Sequence, residues 1–239
     1  MKDLKNKVVY ITGGSQGIGL GVAQSLLDQG MKVAISGRSN EKLTEAAGRL
    51  NSDENNLLTI QSDVRHFGDE QNAIREILEK WGQLDVLVAN AGIGHYGNIE
   101  DLTVDQWNQT LDTNLTGVFH SVKASLDAIK SSKGYIITIA SLAGTNFFAG
   151  GTAYNASKFG LVGFTQALMM DVRQQDVKVS TIMPGSVSTH FNGNIPDDSD
   201  AWKIQPEDMG ELVLDLLRMH PRTLPSKVEV RPSKPPVKK

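Results

Sequence analysis

The chain has 239 residues, enough for one sizeable α/β domain and short for two. Hydrophobic residues make up 39% and charged residues 21%, so a core can be buried and the surface wetted. A net charge of −3 gives no electrostatic basis for binding nucleic acid or an acidic membrane, and the absence of cysteine removes disulfides, thiolate metal sites and cysteine nucleophiles together.

A cysteine-free chain also fits a reducing compartment. The opening stretch, MKDLKNKVVYITGG, lacks the apolar core of a signal peptide, and no run approaches the ~20 apolar residues that span a bilayer. A cytoplasmic protein is expected. All eight prolines follow Met183, so no obligatory helix breaker precedes it. In that part short runs rich in Val and Ile alternate with longer helical patterns, the mark of βαβ units. Strands that are apolar throughout belong in a parallel sheet covered on both faces.

The first strand, KVVYIT (7–12), runs into Thr12-Gly13-Gly14-Ser15-Gln16-Gly17-Ile18-Gly19, and a helix over 17–29 follows at once. Glycines let the backbone turn sharply and approach a pyrophosphate, whose charge meets the N–H groups of the helix start. The spacing Gly13-x3-Gly17-x-Gly19 is not the usual GxGxxG. Its place between a strand and a helix, at the head of a βαβ series, makes it a dinucleotide loop, with Ser15, Gln16 and Ile18 among the contacts.

The second strand, MKVAIS (31–36), ends in Ser36-Gly37-Arg38-Ser39. A carboxylate here would hold the 2′-hydroxyl of NAD. None is present, and Arg38, with Ser39 beside it, is placed to pair with the 2′-phosphate of NADP. A solvated surface arginine is the plainer alternative. A helix over 39–51 and the strand LLTIQS (57–62) lead to Asp63 and Val64. Asp63 is either an acceptor for the adenine amino group or a turn or helix-cap residue; Val64 is counted with it as a cofactor contact.

After a helix at 68–82, the strand DVLVAN (85–90) ends in Asn90-Ala91-Gly92, small residues that leave room for a ligand on the strand end. Ile93, His95 and Tyr96 then lead toward a substrate cavity. A long helix over 103–131 carries Asn114 in DTNLTGVF, and the strand GYIITIA (134–140) ends at Ser141, on the carboxyl edge where such sheets bind ligands. Asn146, Phe147, Phe148 and, further on, His190 are candidate pocket residues or simply loop packing. A helix over 152–175 carries Tyr154-Asn155-Ala156-Ser157-Lys158, which puts Tyr154 and Lys158 on one face. An ammonium ~4 Å from a phenol at an effective dielectric of ~20 is worth about 4 kcal/mol, roughly three pK units, enough to bring tyrosine into the range of proton transfer. The strand at 177–182 precedes Pro184-Gly185. A helix at 206–219 and a strand at 227–231 close a domain set at 1–231; the basic, Pro-rich tail, 232–239, is expected to be extended or disordered. The five histidines are scattered and no His, Asp or Glu cluster has ligand spacing, so no metal is expected.

TGGSQGIG, Asn90-Ala91-Gly92, Asn114, Ser141, Tyr154-x3-Lys158 and Pro184-Gly185 stand in the order and spacing of the short-chain dehydrogenase/reductase family, which the chain resembles over about residues 5–192. The resemblance implies a single Rossmann-type, doubly wound α/β domain. Its seven-stranded, mostly parallel sheet would run in the order 3-2-1-4-5-6-7 with helices on both faces. Tyr154 would pass a proton to or from the substrate oxygen. Lys158 would lower the tyrosine pKa and hold the nicotinamide ribose, Ser141 would orient the substrate oxygen, and Asn114 would hold a water linking Lys158 to solvent. Val187 and Thr189 would meet the nicotinamide carboxamide.

The implied function is an NADP-dependent oxidoreductase that interconverts a ketone, aldehyde or 3-oxoacyl group and an alcohol. The implied partner is a small-molecule substrate, with no nucleic acid and no membrane. The alternatives are an NAD-dependent alcohol dehydrogenase of the same family, a sugar epimerase, and a non-catalytic dinucleotide sensor or scaffold. Pairing of the helices at 103–131 and 152–175 across a two-fold axis implies a homodimer or homotetramer. The chain departs from its relatives in places. Gln16 stands where many NADP-preferring relatives are basic, so a moderate cofactor preference is expected. The segment after Thr189 is short, which implies an open site. The C-terminal strand lacks the ending common in acyl-carrier-protein reductases.

Overall fold

The computed structural model describes residues 3–236. Its strands are β1 (Val8–Ile11), β2 (Lys32–Gly37), β3 (Leu57–Gln61), β4 (Val86–Ala89), β5 (Tyr135–Ile139), β6 (Lys178–Pro184) and β7 (Lys227–Val230). They form one seven-stranded sheet in the order β3-β2-β1-β4-β5-β6-β7. Every neighbouring pair is parallel, the edge strand β7 included. The helices are α1 (Gly17–Asp28), α2 (Asn40–Leu50), α3 (Phe67–Trp81), α4 (Val104–Leu111), α5 (Gly117–Ser132), α6 (Thr152–Val172) and α7 (Pro206–Arg218).

The strands are apolar on both faces because the sheet is the middle layer of three. Val9 and Ile11 of β1 point into a core with α1, α2 and α7, while their neighbours Val8 and Tyr10 point into a second core with α3, α5 and α6. In β4, Val86 and Val88 join the first core and Leu87 and Ala89 the second. The period of two in side-chain direction thus divides each strand between two layers. The register of β4 on β1 is anchored at its foot by Asp85, whose buried carboxylate accepts from the Val8 N–H at 2.9 Å and from the Lys7 Nζ at 2.8 Å.

The helix expected over 103–131 is interrupted. Between α4 and α5 the chain makes a π-helical turn, Asp112–Thr116, with Asn114 at its centre and fully buried. Such turns open the i→i−4 ladder by one residue and recur at functional sites. The expected boundary at 175 also moves: α6 stops at Val172 and continues as a short 3₁₀ turn, Arg173–Gln175. Among the described residues no helix is long and apolar enough to cross a membrane. Residues 237–239 of the expected tail lie outside the described residues.

Helix α7 returns from the far edge of the sheet to pack on α1. A Cβ built on Gly21 would overlap the Pro206 carbonyl at the start of α7. Gly21→Ala should therefore force the two helices apart. By the usual cost of overpacking, it should lower the unfolding free energy by about 1–3 kcal/mol, read as a drop in Tm. An unchanged Tm would mean that the α1–α7 contact is not close-packed at this point.

Candidate active site

The strand order reverses between β1 and β4, and a cleft of about 1330 Å³ lies across the carboxyl ends of the strands there. Open α/β sheets bind ligands at this switch point. Of the residues expected from sequence, the cleft is lined by Gly13, Ser15, Gln16, Gly17 and Ile18 of the first loop, by Arg38, Ser39, Asp63 and Val64, and by Asn90, Ala91 and Gly92. Ser141, Tyr154, Lys158, Pro184, Gly185, Val187 and Thr189 line its other half, together with Tyr96, Asn146, Phe147, Phe148 and His190.

Three expected residues do not line it. Gly19 lies behind the loop, where a Cβ would sit 2.5 Å from the Gly13 carbonyl and 2.6 Å from the Asn90 Nδ2, so only glycine lets α1 start this close to the loop. Asn114 is buried behind Ile93. His95 is not among the lining residues, and among the described residues its buried Nε2 has no hydrogen-bond partner.

The phosphate half fits a dinucleotide. Gln16 precedes α1 with extended backbone and no side-chain cap, and no acidic residue stands in the first turn. The first N–H groups of the helix therefore lack side-chain partners at the cleft, a ready anion site. The loop is held from behind. Thr12 is buried, and its Oγ1 accepts from the main-chain N–H groups of both Asn90 and Ala91, at 3.0 Å each. The Asn90 Nδ2 donates back to the carbonyls of Thr12 and Gly13, at 2.9 and 3.0 Å. Residue 90 is thus more than a small strand end: its amide ties the glycine loop to β4.

At the adenosine end Arg38 is exposed, and Ser39 caps α2, its Oγ accepting from the Lys42 N–H at 3.3 Å. Lys42 lines the cleft with Arg38, a second cation that the sequence reading missed. The signal was present as a lysine four residues after the arginine, in the first turn of the next helix. Asp63 is engaged by Arg65, whose Nε donates to both carboxylate oxygens at 3.0 Å. That contact, with Arg38 nearby, holds the Asp63 carboxyl below its ordinary value.

In the other half, Ser141 closes β5 and caps a 3₁₀ turn, accepting from the Ala143 N–H at 3.1 Å. That bond does not use the Ser141 hydroxyl proton, and the side chain lines the cleft together with Tyr154. Tyr154 is 8% exposed. Burial pushes its phenol up, while hydrogen bonding with Ser141 and then Tyr96 acts downward. Lys158 is buried on the next turn of α6; its Nζ donates to the Ile139 carbonyl at 3.1 Å and lies 5.7 Å from the centre of the Tyr154 ring. Burial brings its ammonium down to about 8. The protein alone therefore departs from the expectation of a phenol depressed by a lysine ~4 Å away. The ammonium is itself desolvated.

The Asn114 side chain is also tied into the protein. Its Oδ1 accepts from the Ile93 N–H at 2.8 Å, and its Nδ2 donates to the Ile93 carbonyl at 2.9 Å and to the Ser157 Oγ at 3.0 Å. The side chain locks the loop after β4 onto α6. Asn155, beside the tyrosine, does the same for the loop after β5, its Nδ2 donating to the carbonyls of Ala143 and Asn146 at 2.7 and 2.8 Å.

Aromatic rings surround the Tyr154 hydroxyl. Tyr96 stands edge-on to Tyr154 with ring centres 5.3 Å apart, Phe148 backs Tyr96 at 5.8 Å, and Phe191 packs on Tyr154 at 5.9 Å. Phe191 lies in the segment after Thr189 that sequence suggested would leave the site open; the segment is short, yet it covers Tyr154. Phe147, by contrast, is 87% exposed at the rim.

Residues 7–200 match the short chain dehydrogenase family. An uncharacterised oxidoreductase of Staphylococcus saprophyticus is 33% identical over 97% of this chain and 100% of its own length. The trans-4-hydroxycyclohexanecarboxylate dehydrogenase of Sinomonas cyclohexanicum is 34% identical over 88% of this chain and 85% of its own. An alcohol dehydrogenase from the archaeon Thermococcus sibiricus, solved in complex with 5-hydroxy-NADP, matches with a TM-score of 0.89 and 26% identity, covering 98% of this chain and 100% of the other. The motifs, the sheet order, the cleft at the switch point and these likenesses agree, and the chain belongs to the short-chain dehydrogenases, oxidoreductases of the CH–OH group that use a nicotinamide dinucleotide.

Proposed function

We propose that this protein interconverts a carbonyl compound and an alcohol with NADP(H), and that Tyr154 is the proton donor and acceptor. The observation that carries this reading is the Tyr154 hydroxyl. It is buried, its phenol is pushed up by that burial, and it lies in the same cleft as Ser141 and the glycine loop. A bound nicotinamide would supply the hydride or take it up. In reduction, Ser141 donates a hydrogen bond to the carbonyl oxygen and Tyr154 gives its proton to that oxygen as charge develops there. In oxidation, the Tyr154 oxygen takes the proton of the alcohol. Lys158 is placed between the Tyr154 ring and the Ile139 carbonyl, where it would hold the ribose hydroxyls and favour the phenolate. Asn114 keeps Ile93 and α6 in register beneath these groups.

The preference for NADP rests on Arg38 with Lys42. Gly37 presents no carboxylate to a ribose 2′-hydroxyl, and the two cations line the cleft beside it, which supports a 2′-phosphate there. The complex of the Thermococcus sibiricus relative with 5-hydroxy-NADP supports the same cofactor. A charge-assisted contact of this kind is worth ~1.5–3 kcal/mol, about a 10- to 100-fold preference. For assembly, Phe119 on α5 and Phe159 and Met170 on α6 are exposed by 48%, 43% and 52%, which supports pairing of these helices in a homodimer or homotetramer.

Tyr154→Phe removes a proton and little volume. It should lower turnover by about 10²-fold or more and leave NADPH binding, read by fluorescence, nearly unchanged. Residual activity within tenfold of the parent would assign the acid to another group. Gly37→Asp combined with Arg38→Ile should turn the preference toward NADH. A Cβ at residue 37 meets the Ser15 Oγ at no less than 3.4 Å, so the aspartate fits. The measurement is kcat/KM for both cofactors with one shared ketone; a parent enzyme that prefers NADH would refute the role of Arg38. Sedimentation at micromolar concentration should give a dimer or tetramer, and Phe159→Glu should shift it toward monomer. A parent that sediments as a monomer would contradict the assembly.

A further inference from the structure

We propose that Glu70 is a positioning residue for the adenosine end of the cofactor: its buried carboxyl takes the protons of Tyr10 and Ser62, so that Ser36 and Ser62 meet the cofactor as hydrogen-bond acceptors. This rests on the reading of the cleft as a dinucleotide site with the adenosine at the Arg38 end. Glu70 stands in the first turn of α3 and is fully buried. Among the described residues no cation pairs with it. Its Oε1 accepts from the Tyr10 hydroxyl at 2.9 Å and from the Ser62 Oγ at 2.6 Å. Tyr10 lies within β1, and its hydroxyl is also 2.9 Å from the Ser36 Oγ. Ser36 in β2 and Ser62 just past β3 both line the cleft, with Gly37, Arg38 and Asp63. One chain of hydrogen bonds thus runs from a carboxyl out of reach of solvent to two hydroxyls of the cleft wall.

The count of protons sets the direction of each bond. Tyr10 has one hydroxyl proton, which cannot serve both Glu70 and Ser36. The carboxyl is the stronger acceptor, and burying it unsatisfied costs more than burying a hydroxyl. Its Oε2 has no partner among the described residues, so Oε1 carries the whole connection. With the Tyr10 proton committed there, the bond to Ser36 closes when Ser36 gives its own proton to the Tyr10 oxygen. Ser62 has likewise given its proton inward. Each serine oxygen then keeps only lone pairs for a ligand. The main chain holds both in place: the Ser36 carbonyl accepts from the Gly14 N–H, and the Ser62 N–H donates to the Gly37 carbonyl, each at 3.0 Å. Asp63, the acid beside them, is engaged by Arg65. A free serine turns its hydroxyl to suit either kind of partner, whereas these two are fixed as acceptors. They select a donor, and adenine presents one in its exocyclic amino group. Hypoxanthine carries a carbonyl there, whose lone pairs would face those of the serines.

The test compares NADPH with its hypoxanthine analogue, in which that carbonyl replaces the amino group. Dissociation constants are read from the fluorescence of the reduced nicotinamide, so no substrate is needed. The parent should bind NADPH about tenfold more tightly than the analogue. Glu70→Met removes the acceptor at similar length and frees both serine protons; the ratio should fall to about twofold or less. Glu70→Gln keeps an oxygen for Tyr10 and Ser62 and should keep the ratio. A purely structural role for Glu70 would lower Tm and weaken both nucleotides alike, and an unchanged ratio in Glu70→Met would overturn the proposal. So would a ratio lost equally in Glu70→Gln. Tyr10→Phe, which keeps the ring in the core and cuts the link to Ser36 alone, should lower the ratio about threefold, and it serves if Glu70→Met does not fold; an unchanged ratio there also overturns the proposal. A parent that bound both nucleotides equally would overturn this inference alone, whereas one that bound neither would sink the dinucleotide reading itself.

Discussion

The arrangement of the site depends on one knot of hydrogen bonds, that between Thr12 and Asn90. Residues at the ends of β1 and β4 are neighbours only because the sheet reverses order between them. The two loops that leave there go opposite ways, one to the phosphate half of the cleft and one to the substrate half. Thr12 accepts from both Asn90 and Ala91, and Asn90 donates into the glycine loop at Thr12 and Gly13. Four bonds between buried or half-buried groups fix the distance from the phosphate cradle to the reacting centre. Hydride transfer requires that distance to hold to a fraction of an ångström, because reacting atoms must stand near contact before the step is fast.

On the substrate side the same principle uses asparagine twice more. Asn114 binds both main-chain groups of Ile93 and reaches Ser157 on α6, and Asn155 binds the carbonyls of Ala143 and Asn146. A carboxamide can donate and accept at once, so it can satisfy a loop's unpaired main-chain groups without bringing a charge into the interior. Lys158 is then the buried cation beside the proposed acid–base tyrosine. The cost of its desolvation appears in its lowered pKa, about 8. A site with fixed carboxylates would have held that lysine fully charged and Tyr154 more firmly neutral. The uncharged amides leave both groups responsive to what binds between them.

How much of this the sequence made legible follows from the range of each interaction. Strand identity and sheet class could be read because burial on two faces writes itself as unbroken runs such as Val8–Ile11. Tyr154 and Lys158 could be paired because one turn of helix separates them. The π-turn at Asp112–Thr116 could not be read, since it arises from packing against the loop after β4 and leaves the apolar pattern of α4 and α5 intact. Lys42 was missed because its approach to Arg38 needs the turn from β2 into α2. His95 and Tyr96 are adjacent in sequence and both suited to a pocket; the path of the loop brings only Tyr96 to the cleft, where it meets the Tyr154 ring.

The contrast between the two halves of the cleft bears on what can vary. Ser141 follows β5, which packs into both cores, and Tyr154 and Lys158 stand on α6, which packs into the second, so a shift of one side chain there would strain its neighbours. Tyr96, Phe148 and Phe191 come from three separate loops; Tyr96 meets Phe148 and Tyr154 as rings, and Phe191 meets the Tyr154 ring. Their contacts are apolar and tolerant of small displacements, so the wall can adapt to the body of a substrate while the reacting oxygen keeps one position. Cover over Tyr154 needs no long helical lid for this: one phenylalanine two residues beyond Thr189 suffices, because Gly94 leaves the space for its ring. A substituent at residue 94 would displace that ring and admit water to the phenol.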